Sequence, residues 1–479
     1  MVKYLNKIYF FALFIIFYSI NLYATDFTVQ LIDNGEFQKA TEAIFKELTF
    51  NKGLAQQNRL NLLFELERMG RIKKDFTKTE EDITGYIKRY IPSVNEENIN
   101  KWEENGALEY MIIDGDKWYF SEAAPNLFRI DREAKLIKEK IDGADKKEFP
   151  LNKHLANIIN ETKTKTIYNV LPVTFRIKQS IVVKQNTVPE GEIIRCWLPY
   201  PRYIPGRQID IKLIKTDPET FILASNKRLQ RTIYFEKAAS HDLPTTFSAT
   251  YEYTSYGHYI PIDPDKVVPA IKSDELIAYL GEKPPHIVFT QNLRTLADTI
   301  TVDESNPYKI AQKLFEWVYK NVPWAAAREY STINNISEYA ALSRHGDCGI
   351  KTMLFIALCR LKGIPARWQS GWEFQPPAYS MHDWCELYFE PYGWVPVDVT
   401  YGLRETDNER LKWFYLSGID SYRLIFNDDD SVAFYPLKVH FRSDTVDSQR
   451  GEVEWRGGNL YYDSWQRKLE WSIISNVSN

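Results

Sequence analysis

Between residues 172 and 255 the hydrophobic positions recur at every second residue. Val173, Phe175, Ile177, Ile181 and Val183 alternate with Thr174, Arg176, Lys178 and Ser180. Phe247, Ala249, Tyr251 and Tyr253 alternate with Ser248, Thr250, Glu252 and Thr254. A period of two sends successive side chains to opposite faces, so these stretches are predicted strands with one buried face. Proline, glycine and asparagine between them complete the signature of a β-sandwich. Upstream, across residues 26–165, the period lengthens to that of a helix. Phe37, Ala40, Ile44 and Leu48 form one stripe; Leu60, Leu63, Leu66 and Met69 form a second that stops at Gly70. A third, Ile83, Tyr86, Ile87 and Tyr90, stops at Pro92, and residues 111–120 read as a hairpin turning on Asp114-Gly115. This is a helical accessory module. Helices followed by a hairpin also describe a winged helix.

Residues 285–405 mix the two periods, and residues 406–479 return to strand-like patterning with a turn at Gly457-Gly458. The acidic run at 427–430 lacks the ligand spacing of a calcium loop and reads as a solvated turn. Composition narrows the function. With 60 basic against 64 acidic residues the formal charge is -4, which argues against a nucleic-acid partner and hence against the winged-helix reading. Four cysteines in 479 residues are too few for a disulfide framework. Lys3 and Lys7 precede an uncharged apolar stretch, residues 8–20, which is too short to span a bilayer, and Ala24 follows as a small residue. Residues 1–24 therefore read as a signal peptide, with an uncleaved N-terminal anchor as the alternative. The expectation is an exported chain, periplasmic or extracellular, with no integral membrane segment after its removal.

The chemistry is concentrated in two places. In Arg344-His-Gly-Asp-Cys-Gly-Ile350, Asp347 can cap a helix that starts at Cys348 and ends at Gly363. Ile350, Met353, Leu354, Ala357, Leu358 and Leu361 form one apolar stripe, and Cys348, Thr352, Phe355 and Cys359 another, so the helix is central and buried. A cysteine at such an N-terminus sits in partial positive charge, which favours the thiolate. Gly346 and Gly349 are expected to leave room for a substrate beside it. The second place is a hairpin. Residues 381–389 alternate as a strand with His382, Trp384 and Glu386 on one face, and 394–398 form a second strand after the turn at 390–393. Pairing residues whose numbers sum to about 780 puts His382 opposite Asp398 on the same face. Cys348, His382 and Asp398 then make a nucleophile, base and orienting carboxylate.

Gly346-Asp-Cys348, the helix ending Leu361-Lys-Gly-Ile-Pro-Ala-Arg367, His382-Asp-Trp384 and Gly393-Trp-Val-Pro-Val-Asp398 together resemble the transglutaminase-like (papain-like) superfamily core over a quarter of the chain. The resemblance implies an α+β multi-domain fold: a papain-like transglutaminase core preceded by a β-sandwich and an N-terminal helical module. It implies the Cys348, His382, Asp398 triad and, from animal transglutaminases, an upstream indole N–H in the oxyanion hole, for which Trp324 is the candidate. It also implies a protein or peptide substrate, and its bacterial members are mostly regarded as proteases or amidases. No cofactor or metal is expected, since nothing matches the calcium sites of the animal enzymes.

The domain layout expected is a signal peptide at 1–24, a helical module at 26–165, a β-sandwich at 172–255, a catalytic core at 285–405 and a β-rich extension at 406–479. Trp368, Trp372 and Trp384 are candidates for lining a substrate cleft, with packing of the sheet as the alternative. The expected function is attack on an amide or peptide carbonyl through a thioester, ending in hydrolysis or acyl transfer. The rival from another class is a non-catalytic peptide- or glycan-binding protein on the same fold. Zinc at His345-x-x-Cys348 and His382-x-x-Cys385 is disfavoured, because residues three apart on a strand face opposite ways.

Overall fold

The computed structural model describes residues 27–143 and 149–476. The expected signal peptide, residues 1–24, lies outside the described residues. The chain divides into two units, Met1–Ala144 and Asp145–Asn479. In the first, helices surround a small antiparallel sheet of Phe76–Lys78, Tyr110–Ile113 and Asp116–Phe120. The hairpin turns on Asp114-Gly115, both at positive φ. Phe37, Ala40 and Ile44 are buried as their spacing requires; in the second helix Met69 is buried as expected, whereas Leu60 and Leu63 are exposed and Leu62 and Ile72 are buried in their place. The helix Leu151–Lys165, grouped by its period with the N-terminal module, packs through Leu155 and Ile158 into the core of the second unit.

In the second unit, two five-stranded antiparallel sheets share one core. Asn169–Val183 pairs with Thr245–Tyr259 along most of its length, and the alternating residues Phe175, Ile177, Phe247, Ala249 and Tyr251 are fully buried. Strands from the end of the chain belong to these sheets: Trp465–Asn476 pairs with Asn169–Val183, and Glu452–Trp455 pairs with Ile193–Pro199. Residues 452–476 therefore complete the sheets begun near residue 169.

The remaining elements position the site. Helix α1, Cys348–Leu361, is buried at every residue from Cys348 to Arg360. Asp347 caps it, its Oδ1 accepting from the Ile350 N–H at 3.0 Å. Gly363, at φ +76°, releases the chain from its C-terminus. Against α1 lies a sheet of β1 (Ala366–Glu373), β2 (Ser380–Phe389), β3 (Gly393–Val397) and β4 (Arg423–Asn427), in the order β3-β2-β1-β4. Trp368, Cys385, Leu387, Val395 and Val397 pack with α1 in one core. Residues of the other parity, Trp384 and Glu386, meet Ile419, Ile425 and Arg207 on the opposite face. Among the described residues, no helix is long and apolar enough to cross a membrane.

Candidate active site

Strand β2 brings two consecutive side chains, His382 and Asp383, to the lining of one cavity. Its period of two sends His382 to the face shared with Trp384, and Asp383 to the face shared with Cys385, where α1 lies. The β2–β3 hairpin pairs Cys385 with Val397 and Phe389 with Gly393, so paired numbers sum to 782. The turn is one residue further along than the sequence suggested. His382 and Asp398 are therefore diagonal neighbours rather than directly opposite. A shift of two in the sum preserves the face, and the contact survives: His382 Nε2 lies 2.8 Å from Asp398 Oδ2.

Asp398 is wholly buried and saturated with donors. Oδ1 accepts from the backbone N–H groups of Thr400 and Tyr401 at 3.1 and 3.2 Å. Oδ2 faces Arg423 Nη1 at 3.0 Å as well as the imidazole. Burial pushes this carboxyl up, but His382 and Arg423 outweigh it and hold it at about 2. The same pairing acts on His382, where burial pulls the imidazole down and Asp398 and Glu373 more than reverse it, leaving it raised above 6.5. A carboxylate on Nε2 fixes the tautomer that carries its proton there, so Nδ1 keeps its lone pair for a second partner. Arg423 is itself locked by Asp420 at 2.8 Å and lies over the rings of Trp384 and Tyr401.

Cys348 stands at the first position of α1 and borders a cavity of about 590 Å³ that His382 also lines. The hydrogen bond of the thiol does not go to the imidazole. It goes to the residue beside it: Cys348 Sγ lies 3.3 Å from Asp383 Oδ2. The surroundings do not favour the expected ionised sulfur. Burial raises the thiol well above 9, and the Asp347 carboxylate adds to it, as Asp383 would if it were ionised. The Asp383 backbone N–H opposes them. A helix terminus supplies only partial charge, which burial and the Asp347 carboxylate exceed. The glycines are not open space either. A Cβ on Gly349 would sit 1.9 Å from Tyr330 Oη and 2.8 Å from Asp383 Oδ2, and one on Gly346 would meet the Ile350 side chain at 2.3 Å.

The upstream tryptophan is at the site. Trp324 is 45% exposed, lines the cavity and forms a parallel bridge with Gly346, two residues from the thiol. The other three tryptophans are corrections. Trp368, Trp372 and Trp384 are wholly buried and none lines the cavity. Trp368 packs on α1, Trp372 donates to Gln449 O at 3.0 Å, and Trp384 donates to Gln369 Oε1 at 2.6 Å. Sheet residues buried on both sides need large side chains on both faces, and that need accounts for them. The 427–430 run is also not a solvated turn. Asn427 and Asp430 are buried, Asp428 takes the Gln369 amide, and Lys283 pairs with Asp429 and Asp430 at 2.7 and 3.1 Å.

Sequence reasoning passed over Asp383, Tyr330, Gln449 and Arg423. Asp383 alone had a local signal, since a charged residue between His382 and Trp384 in an otherwise apolar strand requires a partner.

Comparison with known proteins follows the same segment. Residues 294–399 match the family model described as the transglutaminase-like superfamily. A stretch of 130 residues is 24% identical to YebA of Bacillus subtilis, an uncharacterised protein; it covers 23% of this chain and 18% of YebA. Among solved structures, the chain is similar to a candidate cysteine protease from Cytophaga hutchinsonii, at 18% identity and a TM-score of 0.41, covering 64% of this chain and 93% of that one. It is also similar to the periplasmic domain of TgpA from Pseudomonas aeruginosa, at 15% identity and a TM-score of 0.27, covering 51% and 96%.

Proposed function

Because residues 294–399 match the transglutaminase-like superfamily model, we propose that the chain is a cysteine enzyme that opens amide or peptide carbonyls with Cys348 as nucleophile, His382 as base and Asp398 as orienting carboxylate. The observation that carries the reading is the 2.8 Å pairing of His382 Nε2 with Asp398 Oδ2 at the rim of the cavity that Cys348 borders. The thiol starts neutral, so activation is a proton transfer from Sγ to His382 Nδ1 as the sulfur attacks, rather than a standing ion pair. The attack forms the S–C bond and an oxyanion. The Cys348 backbone N–H at the helix start and the Trp324 indole N–H are the donors assigned to that oxyanion. Collapse breaks the C–N bond, and the imidazolium returns the proton to the departing amine. Water activated by His382 then hydrolyses the thioester, or an amine takes the acyl group. Hydrolysis is the reading adopted, on a protein or peptide substrate outside the cytoplasm, in keeping with the leader-like residues 1–24.

A mass-spectrometric screen of a peptide library with the full chain tests this, with a primary amine added in a parallel arm. Cleavage or deamidation that disappears in Cys348→Ala supports hydrolysis. Amine incorporation that disappears in the same variant replaces hydrolysis by acyl transfer. Binding without turnover in wild type and variant alike favours the non-catalytic rival and overturns the enzyme reading.

A further inference from the structure

We propose that Asp383 is a further catalytic residue, which accepts the hydrogen bond of the Cys348 thiol at rest and turns an acid proton of its own onto the sulfur once His382 has removed the thiol proton. The inference rests on Cys348 being the nucleophile. It is carried by a count of protons. Asp383 Oδ1 accepts from Gln449 Nε2. Asp383 Oδ2 lies 3.3 Å from Cys348 Sγ and 3.1 Å from Tyr330 Oη. Tyr330 Oη also lies 2.9 and 3.0 Å from the two oxygens of Asp347. A phenol has one proton and cannot donate to both carboxyls. Asp347 takes it, because that side chain caps α1 and the Ile350 and Gly349 N–H groups hold its charge, so that burial lifts it only to about 6, less far than Asp383. The contact between Tyr330 Oη and Asp383 then needs its proton from Asp383. Oδ1 is occupied by the Gln449 amide, so the acid proton sits on Oδ2, the oxygen beside the sulfur.

The surroundings agree with a neutral acid. Tyr330, Asp347, Cys348, Asp447 and Gln449 face Asp383, and none is a cation; Lys351 on α1 interacts with Asp398 and Cys348. Burial, then Asp447 and Asp347, raise Asp383 well above the usual carboxylate range. Gly349 is what lets the chain of groups assemble, since any Cβ there would displace Tyr330 and Asp383 together. At rest the Oδ2–H donates to Tyr330 Oη while Oδ2 accepts the S–H. When the thiol proton passes to His382 Nδ1, the thiolate becomes the stronger acceptor and the Oδ2–H swings to it. Only the S–H bond breaks, and Asp383 keeps its proton throughout.

The test uses the full chain and needs no substrate. Iodoacetamide labelling of Cys348 is followed against pH in wild type, Asp383→Asn and Asp383→Ala, with infrared difference spectra of wild type against Asp383→Asn. In Asp383→Asn the amide oxygen stays on Gln449 and the NH₂ faces the sulfur, so a donor is kept. The expected midpoint of labelling stays within about half a pH unit in Asp383→Asn and rises by about one to two in Asp383→Ala. Wild type should show the carbonyl stretch of a protonated carboxylic acid at neutral pH, lost in Asp383→Asn. An ionised Asp383 gives the opposite: no such band, and a midpoint lowered by more than about one pH unit in Asp383→Asn as a negative charge leaves the thiol. That result overturns the proposal. If Asp383→Ala does not fold, the infrared band and the Asp383→Asn profile still decide. Failure of the nucleophile reading is separate: it shows as labelling that is indifferent to His382→Ala.

Discussion

Replacing Asp398 by asparagine should do more damage than its small change in shape suggests. In the native site Oδ1 holds two backbone N–H donors, from Thr400 and Tyr401, and Oδ2 holds His382 Nε2 and faces Arg423. In Asp398→Asn the amide oxygen must keep the two backbone donors. The NH₂ group then points at His382 Nε2, 2.8 Å away in the native site. It can donate there only if the ring moves its proton to Nδ1, the nitrogen that must be empty to receive the thiol proton. The wrong tautomer costs on the order of 10³–10⁴ in kcat, or about 4–5.5 kcal/mol of barrier. Stability falls less. The lowering of the carboxyl from 3.8 to about 2 corresponds to about 2 kcal/mol of native-state stabilisation. Arg423 keeps Asp420 at 2.8 Å, so the variant should fold. The sign is that of a depressed carboxyl: the stabilisation is present above pH 3.8 and is lost as pH falls toward 2. Single-turnover kinetics on a peptide found in the library screen measure the first effect, and two-bond ¹⁵N–¹H spectra of His382 report the tautomer. A variant that keeps more than about a tenth of the wild-type kcat, or still carries its proton on Nε2, would refute the reasoning.

Four further outcomes follow from the same geometry. The acid limb of kcat/KM should have its midpoint above pH 6.5, because a neutral His382 is required and Asp398 and Glu373 hold the imidazole raised; a midpoint near 4 would mean a preformed thiolate. The charged imidazole also stabilises the fold, fully below pH 6.5 and progressively less as pH rises through its raised value, which thermal melts against pH would read. Trp324→Phe should lower kcat about 10²–10³-fold if the indole N–H meets the oxyanion, with little change in melting temperature for so exposed a ring. Trp368→Ala should cost about 3–5 kcal/mol in denaturant unfolding, as expected of a wholly buried indole against α1 rather than a cleft residue.

What the sequence disclosed follows from how local each feature is. The cap at Asp347 and the fourteen residues of the doubly apolar α1 are contiguous, and the alternation of Phe175, Ile177, Phe247 and Tyr251 is written along single strands. The pairing of His382 with Asp398 needed only parity, so an error of two in the register sum left the contact intact. The tryptophans misled because apolar residues read alike whether they face a core or a cleft. Trp384 is covered by Arg423 and Ile419, which come from later in the chain. The 427–430 run misled for the same reason, because its partner Lys283 lies about 146 residues away. Asp383 shows the deeper limit. Its meaning depends on Tyr330, Asp347 and Gln449 converging from three distant segments, and no spacing rule joins them.

The account stands on Cys348 being the nucleophile served by His382. Mass-spectrometric mapping of iodoacetamide adducts tests that directly, because Cys196, Cys359 and Cys385 are wholly buried while Cys348 retains 9% exposure at the cavity. The prediction is a single adduct, on Cys348, formed many-fold more slowly in His382→Ala. Equal labelling rates in the two proteins, or an adduct on another cysteine in preference, would contradict it.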